Sequence, residues 1–195
     1  MSERENHMDT MANEETPSEP VHEVHIVRGI SPEEVEAVLN MAAASGLFTS
    51  DALRSAEDMA WDSAYGEGGA PHTFILAKTR EDGADKTIGF LCFGPIANWP
   101  ENYELYGIAV VPEYQRLGIG SALVAEMARR IGSEKSRRVF LETGADRAYE
   151  GARGFYEANG FDREERFHKH FIPLEGGVVY RLNIDVVEDD GPKYQ

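Results

Sequence analysis

The sequence holds one cysteine, Cys92, among its 195 residues. An intramolecular disulfide is therefore impossible, and so is a metal site built on clustered thiolates. One reduced cysteine suits a cytoplasmic protein. Cys92 lies in the apolar run IGFLCFG and is expected to pack in the core, as free cysteines mostly do. Long hydrophobic runs are also missing. None approaches the ~20 residues of a membrane span, so no membrane role is expected. The stretch MSERENHMDTMANEETPSEP carries no apolar segment of a secretory signal. Positive charge is scarce, with 19 Lys and Arg against 35 Asp and Glu, a formal net charge of −16. That balance argues against a nucleic-acid partner. The surplus acid is either a solvated surface or a bias toward cationic substrates.

What is present reads as one domain with slack at both ends. Residues 1–20 are polar and acidic and are expected to be a disordered tail, 21–187 a single domain, and 188–195 a flexible end. VHEVHIVRGI alternates like a strand. A helix follows in SPEEVEAVLNMAAAS, with Ser31 at the N-cap, Pro32 at the first helical position and Val35, Val38, Leu39 and Ala42 on one face. A second helix is expected within residues 49–66. HTFILAKT and KTIGFLCFGPI read as a hairpin around REDGAD, and NYELYGIAVV as the next strand. Ile119, Leu123, Met127 and Ile131 recur every fourth residue and mark a helix from about Gly118 to Ile131. RRVFLET is a strand. DRAYEGARGFYEAN is a helix with Asp146 as N-cap and Gly160 as its stop, weakened by Gly151 and Gly154. FDREERFHKHF and GVVYRLNIDV close the chain as two strands around IPLEGG. The order is β α α β β β α β α β β. It implies a mixed α/β fold with one parallel strand–helix–strand unit and antiparallel pairing elsewhere.

The junction QRLGIG, Gln115 to Gly120, sits where a strand gives way to a helix. Unpaired N–H groups at a helix start make an anion site. Gly118 and Gly120 bare the backbone, and Arg116 adds a guanidinium fork suited to phosphate. The same glycines would also serve a plain tight turn. A dinucleotide-binding loop would need its first glycine directly after the strand and a third where Leu123 stands; a P-loop would need Gly-Lys-Ser/Thr after Gly120. Neither pattern is met. Gln/Arg-x-x-Gly-x-Gly is met, and FYEANGF follows at Phe155–Phe161. With these two segments the chain resembles the GNAT superfamily of acyl-CoA-dependent N-acyltransferases over about residues 22–185.

The resemblance implies the GNAT fold: a mixed, mostly antiparallel sheet of six to seven strands, flanked by about four helices, with splayed parallel central strands. It implies acetyl-CoA as co-substrate and no metal. The backbone from Gln115 through Arg116, Leu117, Gly118, Ile119 and Gly120 to Ser121 would hold the pyrophosphate. Ile108, Ala109 and Val110 would line the acyl-pantetheine arm, and the Ile108 amide would face the thioester oxygen. Glu104, eleven residues before Gln115, takes the place of a general base, and a protonated amine needs one before it can attack. Tyr156, four residues before Gly160-Phe161, takes the place of the acid that protonates the leaving thiolate. Tyr149 stands where many members carry a coenzyme-contacting asparagine. Gly107, inside an apolar strand, marks a bulge or a close backbone approach.

The acceptor is not legible in the residues. Trp61, Tyr65, Trp99, Tyr103, His168 and His170 are candidates, with Trp99, Tyr103 and His168 carried forward as substrate-binding. His168 and His170 share a side of their strand, and no third metal ligand accompanies them. The expected activity is transfer of an acetyl group to a primary amine, preferably a small molecule, in a ternary complex. A protein N-terminus or lysine is the alternative acceptor, and a non-catalytic acyl-CoA-binding module the alternative function. A homodimer is a family expectation only.

Overall fold

The computed structural model describes residues 23–66, 70–132, 137–165, 171 and 176–185. Both expected tails, and His168 and His170, lie outside the described residues.

The strands are β1 Val24–Arg28, β2 Thr73–Glu81, β3 Ala84–Pro95, β4 Asn102–Val110, β5 Arg137–Gly144, β6 Asp162–Arg163 and β7 Gly177–Ile184. The helices are α1 Pro32–Ala44, α2 Ser50–Tyr65, α3 Ile119–Ile131 and α4 Glu150–Ala158, with single 3-10 turns at Pro112–Tyr114 and Arg147–Tyr149. One seven-stranded sheet runs β1-β2-β3-β4-β5-β7-β6. Among the described residues only β4 and β5 pair in parallel, as the strand–helix–strand unit requires. The expected mixed sheet and four helices are thus present.

Local chemistry accounts for the boundaries. The Ser31 N–H donates to Glu34 Oε2 at 2.8 Å, one half of a capping box, and Pro32 occupies the first turn. Thr49 caps α2, accepting from the Ala52 N–H at 3.2 Å. The β2–β3 hairpin is tighter than REDGAD suggests. Asp82 and Gly83 alone form the turn, both at positive φ (50° and 82°), as a two-residue hairpin demands. Gly160 at φ 82° ends α4 as expected. The helix expected from Asp146 begins later. Asp146 caps only a 3-10 turn, accepting from the Ala148 N–H at 2.9 Å, and the α-helix proper spans nine residues. The described part of the FDREERFHKHF strand is likewise cut to Asp162–Arg163.

The sheet buries both faces. On one, Ile119, Leu123, Met127 and Ile131 of α3 pack against Ile75, Leu91, Leu105, Val139 and Leu141. Phe155 and Tyr156 of α4 join the same cluster. On the other, Val35, Val38, Met41 and Ala42 of α1 meet Phe74, Leu76, Phe90 and Cys92. Cys92 is 2% exposed, and burial pushes its thiol pKa far up, so it packs and does not react. Trp61 and Tyr65 do not pack the core. They stack on each other at 5.6 Å on the outside of α2, 39% and 70% exposed.

Candidate active site

The site begins with a mismatch of strand lengths. β4 pairs with β3 from Tyr103 to Val110, but with β5 only at Asn102, Tyr103 and Glu104. Beyond Glu104 both strands continue while their mutual pairing stops, which opens a fork between them. The Val111 N–H donates to Ile88 O at 2.9 Å. By the alternation of an antiparallel ladder, Ala109 then also faces β3, whereas Ile108 and Val110 turn their N–H and C=O groups toward the fork. One of these groups is used internally: Gln115 Nε2 donates to Val110 O at 2.8 Å. Ala109, named with its neighbours from the sequence, keeps its backbone in the ladder and its side chain buried.

The bulge expected at Gly107 is present. Leu105 pairs with Phe93 and Gly107 with Cys92, leaving Tyr106 as the extra residue. A Cβ on Gly107 would stand 2.8 Å from the Phe48 ring, so glycine is required there by a close approach.

The loop from β4 to α3 carries two left-handed residues, Arg116 at φ 65° and Gly118 at φ 80°. For an arginine this costs on the order of 1 kcal/mol. Such alternation is what curls successive N–H groups into an anion-binding concavity. The first helical bond of α3 runs from the Ala122 N–H to Gly118 O at 2.9 Å, so the amides of Ile119, Gly120 and Ser121 precede it and are the orphan donors of a helix start. Open space surrounds Gly118, but a Cβ on Gly120 would meet the Phe155 ring at 2.8 Å. The two glycines thus have different reasons. Gly118 is needed for its φ, and Gly120 makes room for a ring of α4 as well as baring the backbone. An opening of about 170 Å³ adjoins the loop, between Met41, Ala44 and Ser45 of the α1 end and Val110, Val111 and Gln115.

Glu104 stands at the point of the fork. Neighbouring strand residues face opposite sides, so Glu104 and Tyr106 look toward the α1–α2 face while Tyr103 and Leu105 look toward α3. Burial, and next the like charge of Glu142, raise the Glu104 pKa from 4.5 to about 7. Glu142 lies two residues beyond Phe140, the β5 partner of Glu104. Burial and then Glu104 push the Tyr106 hydroxyl to about 12.

Tyr156 lies across the sheet, its ring against Phe155, Phe161 and Tyr180 at 5.5, 5.7 and 6.1 Å. Burial holds its hydroxyl protonated, with a pKa of about 12. The base candidate and the acid candidate therefore stand on opposite faces of the sheet.

Among the acceptor candidates, Trp99 stacks on Phe140 at 5.0 Å, on the Glu104 face, with Arg138 over its ring at 5.5 Å. Tyr103 is separated from it. Its ring packs on Phe93 at 6.3 Å, and its hydroxyl accepts from Arg137 Nη1 at 2.5 Å. Tyr149 ties two elements together: its hydroxyl donates to Leu47 O at 3.2 Å, and its ring fills the space a Cβ on Gly144 would take. Sequence reasoning missed Glu142, Tyr106 and Phe48. Among the described residues no group of three or more His, Cys, Asp or Glu is placed to hold a metal ion, and no helix is long and apolar enough to cross a membrane.

A forked parallel pair followed by a left-handed glycine loop and a helix start defines a class, and comparison with known proteins bears this out. Residues 36–161 match the model of the acetyltransferase (GNAT) family. The chain belongs to that family. No protein of curated function matches it by sequence. Among solved structures, a GNAT-family protein from Desulfovibrio desulfuricans is 28% identical with a TM-score of 0.70, covering 83% of this chain and 99% of that one. The PaiA N-acetyltransferase of Thermoplasma acidophilum, solved with coenzyme A, shares the fold at 18% identity and a TM-score of 0.59 (82% and 98% covered). So does the ribosomal-protein-S18-alanine N-acetyltransferase of Escherichia coli, at 18% and 0.58 (87% and 99% covered).

Proposed function

We propose that the protein transfers an acetyl group from acetyl-CoA to a primary amine, a small molecule in preference to a protein, by direct attack within a ternary complex. The observation that carries this reading is Glu104: a carboxylate with a pKa of about 7, placed where β4 and β5 part. An ammonium must lose a proton before it can attack, and a base poised near neutrality is suited to taking it. In the proposed reaction the amine nitrogen, freed of its proton by Glu104, adds to the thioester carbon. The developing oxyanion is met by the fork-facing Ile108 amide. As the C–S bond breaks, the sulfur takes its proton from Tyr156, whose high pKa keeps that proton available, and the second proton that the nitrogen sheds on becoming an amide restores the Tyr156 hydroxyl.

The residues present suit coenzyme A. Arg116 and the amides from Gln115 to Ser121 would hold the pyrophosphate, and the Ile108 and Val110 edges would line the pantetheine arm. Tyr149, its hydroxyl committed to Leu47 and its ring to Gly144, would contact the coenzyme with its ring edge. The paired carboxylates Glu104 and Glu142 favour a cationic acceptor, with Trp99 on the same face. The presence of both Glu104 and Tyr156 favours an enzyme over a non-catalytic binding module. The buried thiol Cys92 suits work in the cytoplasm.

The test is isothermal titration with acetyl-CoA, followed by thiol release with a panel of amines. Micromolar binding, lost in an Arg116→Ala, Gly120→Glu double variant, is the expected result. A folded protein that binds no acyl-CoA would end this reading.

A further inference from the structure

Where the bulge of β4 faces α2 there is a small apolar pocket, with free room of only about 20 Å³. Phe48, Ala52, Ala56, Met59 and Phe90 wall it, and Tyr106 and Gly107 close it on the sheet side. It adjoins the residue whose amide faces the fork, since Gly107 immediately precedes Ile108.

We propose that this pocket receives the acyl chain of the donor thioester, and that Phe48 sets how long that chain can be. The inference rests on the acyl-CoA reading above. Two features divide the space around the fork between chain and amine. On the β5 side stand Glu104 and Glu142, which attract an ammonium. On the β3 side stands a lining of rings, methyls, a thioether and the Cys92 thiol with Tyr106 but no carboxylate, where a charged amine would lose water without gaining an opposite charge. An acyl chain meets no such penalty and gains from burial.

Phe48 is the part of that lining that presses on the bulge. Its Cε1 and Cζ lie 2.8 Å from where a Cβ on Gly107 would be, so the ring lies directly on the bulge. Phe48 belongs to neither helix. It sits in the connection between α1 and α2, and the residue before it is fastened by the Tyr149 hydroxyl on Leu47 O. Tyr149 is thereby a positioning residue for Phe48. That gives a use to a tyrosine in a place where the resemblance leads one to expect asparagine.

The experiment titrates wild type, Phe48→Ala, Phe48→Leu and Tyr149→Phe with coenzyme A, acetyl-CoA and hexanoyl-CoA. Wild type should bind acetyl-CoA more tightly than hexanoyl-CoA by about 10-fold or more, since added methylenes have no room to be buried. Phe48→Ala should cut or reverse that ratio by about 10-fold, with Phe48→Leu between, by opening space for methylenes. Tyr149→Phe should shift the ratio in the same direction by only about 2–5-fold, the effect of one lost hydrogen bond. Coenzyme A itself should bind wild type and both Phe48 variants alike. An unchanged acetyl-to-hexanoyl ratio in Phe48→Ala, with coenzyme A still bound, overturns the proposal. Should that variant not fold by circular dichroism, an unchanged ratio in Phe48→Leu does the same. If folded wild type binds neither coenzyme A nor its thioesters, the acyl-CoA reading fails along with the pocket.

Discussion

β4 has two edges with opposite lives. Toward β3 it is laddered from Tyr103 to Val110, interrupted only by the bulge at Tyr106. Toward β5 it is laddered for three residues and then abandoned. The first edge fixes the strand. The second exposes backbone donors and acceptors that the first holds still. A strand free on both edges could not aim the Ile108 amide, and one paired on both would have nothing to offer. Glu104 sits at the boundary, buried enough that its carboxyl is uncharged about half the time at neutral pH.

The comparison can be broken first at Glu104. Glu104→Gln should lower turnover by about 10²–10⁴-fold, the usual worth of a positioned base, with acetyl-CoA affinity kept. Steady-state rates set beside titration separate the two, and an unchanged turnover would move the base elsewhere. Tyr156→Phe should cost about 10–100-fold in kcat with little change in KM if its proton goes to the leaving sulfur, a readout that simple packing would not give. Gly120→Ala, which drives a methyl toward Phe155, should lose about 1–3 kcal/mol of stability in urea unfolding. Gly118→Ala meets no neighbour and should lose about 1 kcal/mol through its positive φ alone.

The fork also leaves a mark on stability. A carboxyl whose pKa rises on folding destabilises the native state where it must be ionised. The cost is absent below about pH 4.5, grows as pH rises toward 7, and is complete above it. Glu104→Gln should therefore stabilise the protein at pH 8 by about 1–2 kcal/mol, allowing for partial solvation, and give no such gain at pH 4. Equal stability of both proteins at pH 8 would show that Glu104 is better solvated than described. Smallest of all, Glu142→Gln should move the midpoint of the rising limb of the pH–rate profile to lower pH, by less than about one unit, since like charge is the lesser of the two causes. A midpoint that stays or rises would separate the two carboxylates.

Much of the candidate site could be proposed because its signals are local. QRLGIG suggests a loop by its own spacing, Glu104 and Tyr156 are candidates by distance along the chain, and the four-residue stripe on α3 is buried at every position. What the sequence hid depends on contacts between distant segments. Gly120 answers to Phe155 and Gly107 to Phe48, and neither pair is marked by spacing. Glu142 reaches Glu104 only through the β4–β5 register. Tyr103 is a different kind of miss: strand alternation alone sets it on the face opposite its neighbour Glu104. The late start of α4 was also hidden: Asp146 caps a 3-10 turn first, and Gly151 and Gly154 lie inside the helix that follows it.

The central claim is that β4 receives acyl-CoA along the edge β5 abandons, and amide hydrogen exchange reads it residue by residue. On adding coenzyme A, Ile108 and Val110 should gain protection while Ala109 and Val111, already bonded to β3, stay as they were. Protection that appears on none of the four, or only on the β3-facing pair, would contradict it.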